Sequence, residues 1–309
     1  LLAQKSAIRD SLSRAGANEV LTYSFVHSNL IDKASQKREQ AYKISNALSP
    51  DLQYYRLSAL PSLLDKVHPN IKAGYDEFAL FELSKAHGTG HTDADGLPLE
   101  FEDIDLVYAS KRVQPGAAFY HAKRYLLALA EDMDVTLTFS TFGTDPEDPI
   151  TDPYDLSRSA EVIVDGQTIG IVGEFKASVK RSLKLPPYCA GFSISQTKLL
   201  KSRSQNSHYQ ALPRFPKVEQ DVCLRVADQL PYATLEELVT RTLTSSKPQD
   251  TTYAVNVIDI YQAEGADYKQ ITFRVSLVSF ERTLTDQEMT KLLQSVADAA
   301  AEAVDAERV

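Results

Sequence analysis

The chain has 309 residues, 43% of them hydrophobic, with a formal net charge of −9. That length can bury a sizeable core and predicts two domains or more. The charge excludes a nonspecific nucleic-acid coat, which rests on phosphate neutralisation by Lys and Arg, and no apolar run nears the ~18 residues of a spanning helix, so no membrane partner is expected. The opening Leu1-Leu-Ala has neither an initiator Met nor a signal peptide, and the chain reads as a piece of something longer. Cys189 and Cys223 sit in separate strand-like segments without metal spacing. Both read as buried thiols in a reducing cytoplasm.

In chain order, a helix from about Lys5 to Ala15 stops at Gly16, and Glu19-Val-Leu-Thr-Tyr-Ser-Phe25 follows as a strand. Pro61 suits a first helical turn, and Leu63, Leu64 and Val67 make a short amphipathic helix. Phe78 to Leu83 and Ile104 to Tyr108 read as strands around a polar loop. A helix from Ala117 to Met133 then carries Phe119, Ala122, Leu126, Ala130 and Met133 on one stripe. Ser159 to Val164 and Gln167 to Glu174 pair through Asp165-Gly166, a strong two-residue hairpin signal. Lys198 to Gln210, polar, basic and Ser-containing, is the expected linker.

The last third reads strand, helix, strand, strand, helix, strand, a ferredoxin-like order. In the strand Asp221 to Val226, Val222, Leu224 and Val226 share one face and Cys223 and Arg225 the other. Thr234-Leu-Glu-Glu237 is expected to open a helix by a capping box, with Leu235, Leu238, Val239 and Leu243 inward. Strands are expected at Tyr253 to Tyr261 and Gln270 to Val278. A second box, Thr285-Asp-Gln-Glu288, starts a helix bearing Met289, Leu292, Leu293 and Val296, and Ala306 to Val309 supplies a fourth strand.

One face of such a sheet takes both helices and the other stays open. Ile258, Ile260, Ile271, Phe273, Val275 and Leu277 suit the covered face. By period two the open face carries Arg225, Val257, Asp259, Tyr261, Gln270, Thr272, Arg274 and Ser276. A ring among donors and acceptors is a platform on which single-stranded nucleic acid is read. The same pattern fits a solvated or partner-covered face. From Arg214 onward there are 10 Lys plus Arg against 16 Asp plus Glu, so any RNA contact there is local and structured.

Other constellations fail. His87-Gly-Thr-Gly-His91 has metal-like spacing, but its glycines forbid the rigid helix that aligns two imidazoles, so a solvated loop is expected and no metal site. Glu100, Glu102, Asp103 and Asp105 read as the acidic start of a strand. Ser157 and Ser159 lie in no nucleophile elbow, and there is no phosphate loop.

Taken in order, a set of segments resembles the beta subunit family of bacterial phenylalanyl-tRNA synthetases, over essentially the whole chain. They are Arg9-Asp-Ser-Leu with Gly16, Glu19 to Phe25, Asn46-Ala-Leu-Ser-Pro50, Arg56 to Leu64, Ala79-Leu-Phe-Glu-Leu83, Arg158-Ser-Ala-Glu161, Gly170-Ile-Val-Gly-Glu174, Arg214-Phe-Pro216 and Phe280 to Asp286. The resemblance implies an α+β chain: a class II synthetase-like antiparallel sheet domain at 1–200, a linker at 201–212, and a ferredoxin-like anticodon-binding domain at 213–309. It also implies a catalytic alpha subunit as partner, two alpha and two beta chains together, tRNA(Phe) as ligand, and ATP and Mg2+ as requirements of the whole ligase. The family's amino-terminal tRNA-binding and editing regions and its metal-binding carboxylates are not in this sequence.

A class II core needs a motif-2 Arg followed by x-Glu and a Gly-rich strand ending in Glu-Arg. Here Arg56 is followed by Leu57 and Ser58, and Glu174 by Phe175. Without these groups the charge that develops in adenylate formation has no clamp, so the first domain is expected to scaffold rather than catalyse. By the same resemblance Asp259, Tyr261, Gln270 and Arg308 match positions that contact anticodon bases; the family more often has Ser at 270 and Arg at 220. Another reading is a standalone RNA- or protein-interaction module, its ferredoxin-like domain fused to an enzyme-like α/β domain.

Overall fold

A computed structural model of the chain describes residues 2–142, 148–202, 212–263 and 265–309. It divides into two units, Leu1–Ser207 and His208–Val309. The first contains α1 (Leu2–Arg14), β1 (Ala17–Glu19), β2 (Phe25–Val26), α2 (Ser28–Lys33), a short 3-10 turn (Arg38–Gln40), β3 (Tyr54–Tyr55), α3 (Leu60–Lys72), β4 (Glu77–Ala86) and β5 (Phe101–Ser110). It continues with α4 (Ala118–Asp132), β6 (Thr138–Ser140), β7 (Tyr154–Val164), β8 (Gln167–Phe175), α5 (Ala177–Ser182), β9 (Tyr188–Ser195) and α6 (Gln196–Lys201). Seven strands form one sheet in the order β1-β4-β5-β9-β8-β7-β6, and only the β1–β4 pairing is parallel.

Alternation along these strands loads both sheet faces. Phe81, Ile104, Leu106, Val172 and Phe192 pack with α1 and α4, whereas Leu80, Val107, Ile171 and Cys189 pack with α3. Residues 165 and 166 both take positive φ, as the tight hairpin turn requires. The glycines of β8 have a second reason: a Cβ at Gly170 would stand 2.1 Å from the Ser193 carbonyl, and one at Gly173 would stand 1.8 Å from Ser159 Oγ.

Several expectations are corrected. Residues 19–25 are not one strand. After Glu19 the chain leaves the sheet, and Phe25–Val26 pairs with Tyr54–Tyr55 in a separate two-stranded ribbon. The linker expected from Lys198 begins inside α6, capped where Ser195 Oγ accepts from the Lys198 N–H; residues 203–211 lie outside the described residues. Asp103 and Asp105 are buried rather than placed at a solvated strand start, where only Glu100 and Glu102 keep contact with water.

The second unit contains β10 (Val218–Ala227), α7 (Tyr232–Ser246), β11 (Thr251–Tyr261), β12 (Tyr268–Ser279), α8 (Asp286–Val304) and β13 (Glu307–Arg308). The sheet order β11-β12-β10-β13, antiparallel throughout, is ferredoxin-like. Ile271, Phe273, Val275 and Leu277 of β12 and Val222 and Leu224 of β10 pack against Leu235, Val239, Met289 and Leu293 of the helices. The capping box Thr285–Glu288 forms as expected, and Arg282 pairs with the same Glu288. That carboxyl is held down at about 2 by Arg282 and by the Thr285 N–H and hydroxyl. The box expected at Thr234 does not form: α7 starts three residues earlier, after Pro231, and Thr234 falls within its first turn.

The largest correction concerns β11. Val257 pairs with Phe273 and Asp259 with Thr272, so Ile258 is an extra residue in a β-bulge. Directly paired residues share a face. Val257 therefore belongs to the covered face, not the open one; the extra residue Ile258 is 46% exposed, and Ile260, paired with Ile271, keeps the covered face as expected although 44% of it stays exposed. Cys223 pairs with Thr272 on the open face and is only half-buried. Cys189 is buried as expected, which pushes its thiol up to about 12.

Candidate nucleic-acid interface

The open face of the second sheet is built from cross-strand pairs. Asp221 pairs with Arg274, Cys223 with Thr272, Arg225 with Gln270, Asp259 with Thr272, and Tyr261 with Gln270. Part of this face is internally committed. Arg274 donates two hydrogen bonds to Asp221, at 2.8 and 2.9 Å, and holds that carboxyl below its usual range. Arg225 donates to Glu307 at 2.7 Å and lies 5.0 Å from the Tyr268 ring centroid, while Ser276 donates to Glu219. The corner where β11 ends and β12 begins differs. The side chains of Asp259, Tyr261 and Gln270 make no hydrogen bond or ion pair with any described residue, and Tyr261 is 55% exposed.

The structure thus brings together three of the four residues singled out by sequence. Arg308 lies elsewhere: it pairs with Leu224, whose side chain is in the core, and its Nη1 donates to Gln294 Oε1 of α8 at 3.1 Å. Gln220 is on that side too, donating to the Asp286 carbonyl. Tyr268 escaped the sequence reading because β12 starts two residues before Gln270. Stepping the period of two back from Gln270 would have placed this half-buried ring on the open face.

The first unit buries several of its polar groups in paired arrangements. Arg56 and Glu82, 5% and 1% exposed, form an ion pair at 2.9 Å. Thr22 completes it, accepting from Arg56 Nη1 and donating to Glu82 Oε2 at 2.6 Å. Arg158 grips Glu174 with two hydrogen bonds, Lys180 adds a third, and the three cationic contacts lower that carboxyl despite its burial. Arg9 pairs with Glu19. Asp105 accepts from Ser193 Oγ at 2.6 Å, the Ala59 N–H and Ser84, and Tyr154 shares a hydrogen bond with Ser193. Burial outweighs these donors and pushes Asp105 up to about 6.

The sequence model described as the phenylalanyl tRNA synthetase beta chain CLM domain matches residues 2–195, and the ferredoxin-fold anticodon binding domain matches 213–308. The chain belongs to the phenylalanyl tRNA synthetase beta chain family. Among relatives, the phenylalanine–tRNA ligase beta subunit of Syntrophotalea carbinolica is 28% identical over 94% of this chain. That of Bacillus thuringiensis subsp. konkukian is 24% identical over 98%. The chain spans only 36% and 38% of their respective lengths. The solved structure of Desulfitobacterium hafniense PylSc, a pyrrolysyl tRNA synthetase, aligns with 68% of this chain and 73% of its own at a TM-score of 0.50 and 11% identity, a likeness of fold alone.

In this chain, charged residues of the segments that carry the resemblance have partners among themselves: Arg9 with Glu19, Arg56 with Glu82, Arg158 with Glu174. Arg56, buried against the Glu82 carboxylate, is not open to a nucleotide phosphate; Arg9 and Arg158 pair with their carboxylates at the surface. Among the described residues no cluster of three or more His, Cys, Asp or Glu is arranged to hold a metal. His87 and His91 face different aromatic rings, Tyr55 and Phe101. Among the described residues no helix is long and apolar enough to cross a membrane.

Proposed function

We propose that this chain is the scaffolding and anticodon-reading portion of a phenylalanine–tRNA ligase beta subunit, working in the cytoplasm with a catalytic alpha subunit in a complex of two alpha and two beta chains. The first unit, residues 1–200, holds the alpha subunit and forms no adenylate itself; ATP and Mg2+ serve the alpha chain. The second unit, residues 213–309, reads the anticodon of tRNA(Phe). The observation that carries this reading is the uncommitted corner of Asp259, Tyr261 and Gln270 in a domain otherwise knit together by its own ion pairs. A base stacks on Tyr261 while Asp259 and Gln270 hydrogen-bond to base edges. Arg308, at the edge strand, neutralises a phosphate after releasing Gln294.

Support for docking lies in residues 20–24. Thr22 is pinned inward on Glu82, which turns its neighbours out: Leu21 is 92% and Tyr23 60% exposed. Apolar groups held outward by an internal anchor suit a partner surface.

The test is pyrophosphate exchange with phenylalanine and ATP, alone and after mixing with the alpha chain. The expected result is no exchange from the pure chain, and copurification with alpha that Leu21→Asp together with Tyr23→Asp abolishes. Exchange by the chain freed of alpha, or association untouched by both changes, would overturn the scaffold reading.

A further inference from the structure

The first unit contains a cavity of about 680 Å³ that the scaffold role does not use. Leu57, Phe101, Phe142, Ile150 and Ile169 form an apolar wall, and the volume lies in the range of small-molecule sites. Among the described residues its charged lining is unbalanced: Asp103, Asp148 and Glu161 against Lys198. Three of these four have hydrogen-bond partners. Glu161 accepts from Ser140 Oγ, Asp148 accepts from the Ile150 N–H, and Lys198 Nζ donates to the Thr168 carbonyl.

Asp103 is the exception. It is 7% exposed, it lines the cavity, and its carboxyl has no hydrogen-bond partner among the described residues. Burial, then the nearby Asp105, pushes its carboxyl well above the usual range. A buried carboxylate is stable only when paired. Gln40, on the same lining, also has an Oε1 that is buried and unpartnered. Both groups want a donor, and the charge around them wants a cation.

We propose that this cavity is a ligand site for a small molecule carrying a protonated amine on an apolar body, the amine paired with Asp103 and the body set against Phe101, Phe142 and Ile169.

The experiment is titration of the 309-residue chain with phenethylamine, followed by calorimetry and by the amide signals of Thr168, Ile169 and Gly170, with phenylacetate in parallel. Saturable binding of the amine is expected, at least about tenfold tighter than that of phenylacetate, because a single desolvated charge pair is worth a decade or more in affinity. Asp103→Asn, which keeps the shape, should lose at least about tenfold of the amine affinity. If that variant fails to fold, Phe101→Ala, at the cavity mouth, should weaken the amine severalfold. Absence of saturable binding, equal binding of phenylacetate, or undiminished affinity in folded Asp103→Asn would each overturn the proposal.

Discussion

Both units set polar residues on antiparallel strands, but to opposite ends. In the first, the sheet is covered on both faces, and two buried groups of polar side chains pair internally, Arg56–Thr22–Glu82 and Asp105–Ser193–Tyr154, while Asp103 stays unpaired among the described residues. In the second, helices cover one face only, and the other keeps Asp259, Tyr261 and Gln270 without hydrogen-bond partners among the described residues. A charged residue in a motif-like segment is therefore weak evidence of catalysis until its partner is known. An uncommitted group on an open face is the better pointer to recognition.

Breaking the inward network should have the largest effect. Arg56→Ala strands the Glu82 carboxylate in the interior and should cost about 3–5 kcal/mol of stability in urea unfolding followed on the first unit. Arg274→Ala, which breaks an exposed pair of similar geometry, should change stability near the limit of detection. Equal losses would remove the distinction between the two units.

Acidity should separate the units as well. The Asp105 carboxyl titrates at about 6 in the folded chain, above its ordinary 3.8, so the fold binds that proton more tightly than the unfolded chain does. The resulting stability is full below about pH 4 and is lost as pH rises through 6, a change on the order of 3 kcal/mol at most. Glu288 runs the other way. Lowered to about 2, it contributes stability above its ordinary 4.5 that disappears as pH falls through 2. Carboxyl carbon shifts followed by pH titration check both midpoints; an Asp105 midpoint near 4 would show its hydrogen bonds outweighing its burial.

Tyr261→Ala should weaken tRNA(Phe) binding to the reconstituted alpha–beta ligase by about 1–3 kcal/mol, one base stack, with folding intact. Arg308→Ala should produce a smaller loss that fades as salt rises, since it removes a single phosphate contact. Should Arg308→Ala prove the costlier change and be insensitive to salt, the helix side of the sheet, not the open face, would be where RNA is read.

Much of this was legible in the sequence because period and turn chemistry are local. The Asp165-Gly166 hairpin, the α4 stripe and the Thr285–Glu288 box all follow from neighbours within a few residues. The errors have a common cause in longer-range packing. The bulge at Ile258 has no signature in its own alternating string, and only pairing with β12 reveals that Val257 changes face. Residues 20–24 carry good strand residues, yet Thr22 is drawn off the sheet by Glu82, a partner distant in sequence. Asp103 and Asp105 looked like solvent-facing charges because nothing local says that β4 and β9 will enclose them. Of the site, Asp259, Tyr261 and Gln270 were found by parity, whereas the turning of Arg308 toward α8 depends on the register of a two-residue strand.

The most direct test of the division between an inward and an outward polar system is photo-crosslinking of the reconstituted ligase to tRNA(Phe) carrying a photoreactive base in its anticodon, followed by peptide mapping. Crosslinks concentrated in Thr251–Tyr261 and Tyr268–Ser279, and lost in Tyr261→Ala, are the expected result. Crosslinks confined to the first unit, or to α7 and α8 on the covered side, would contradict it.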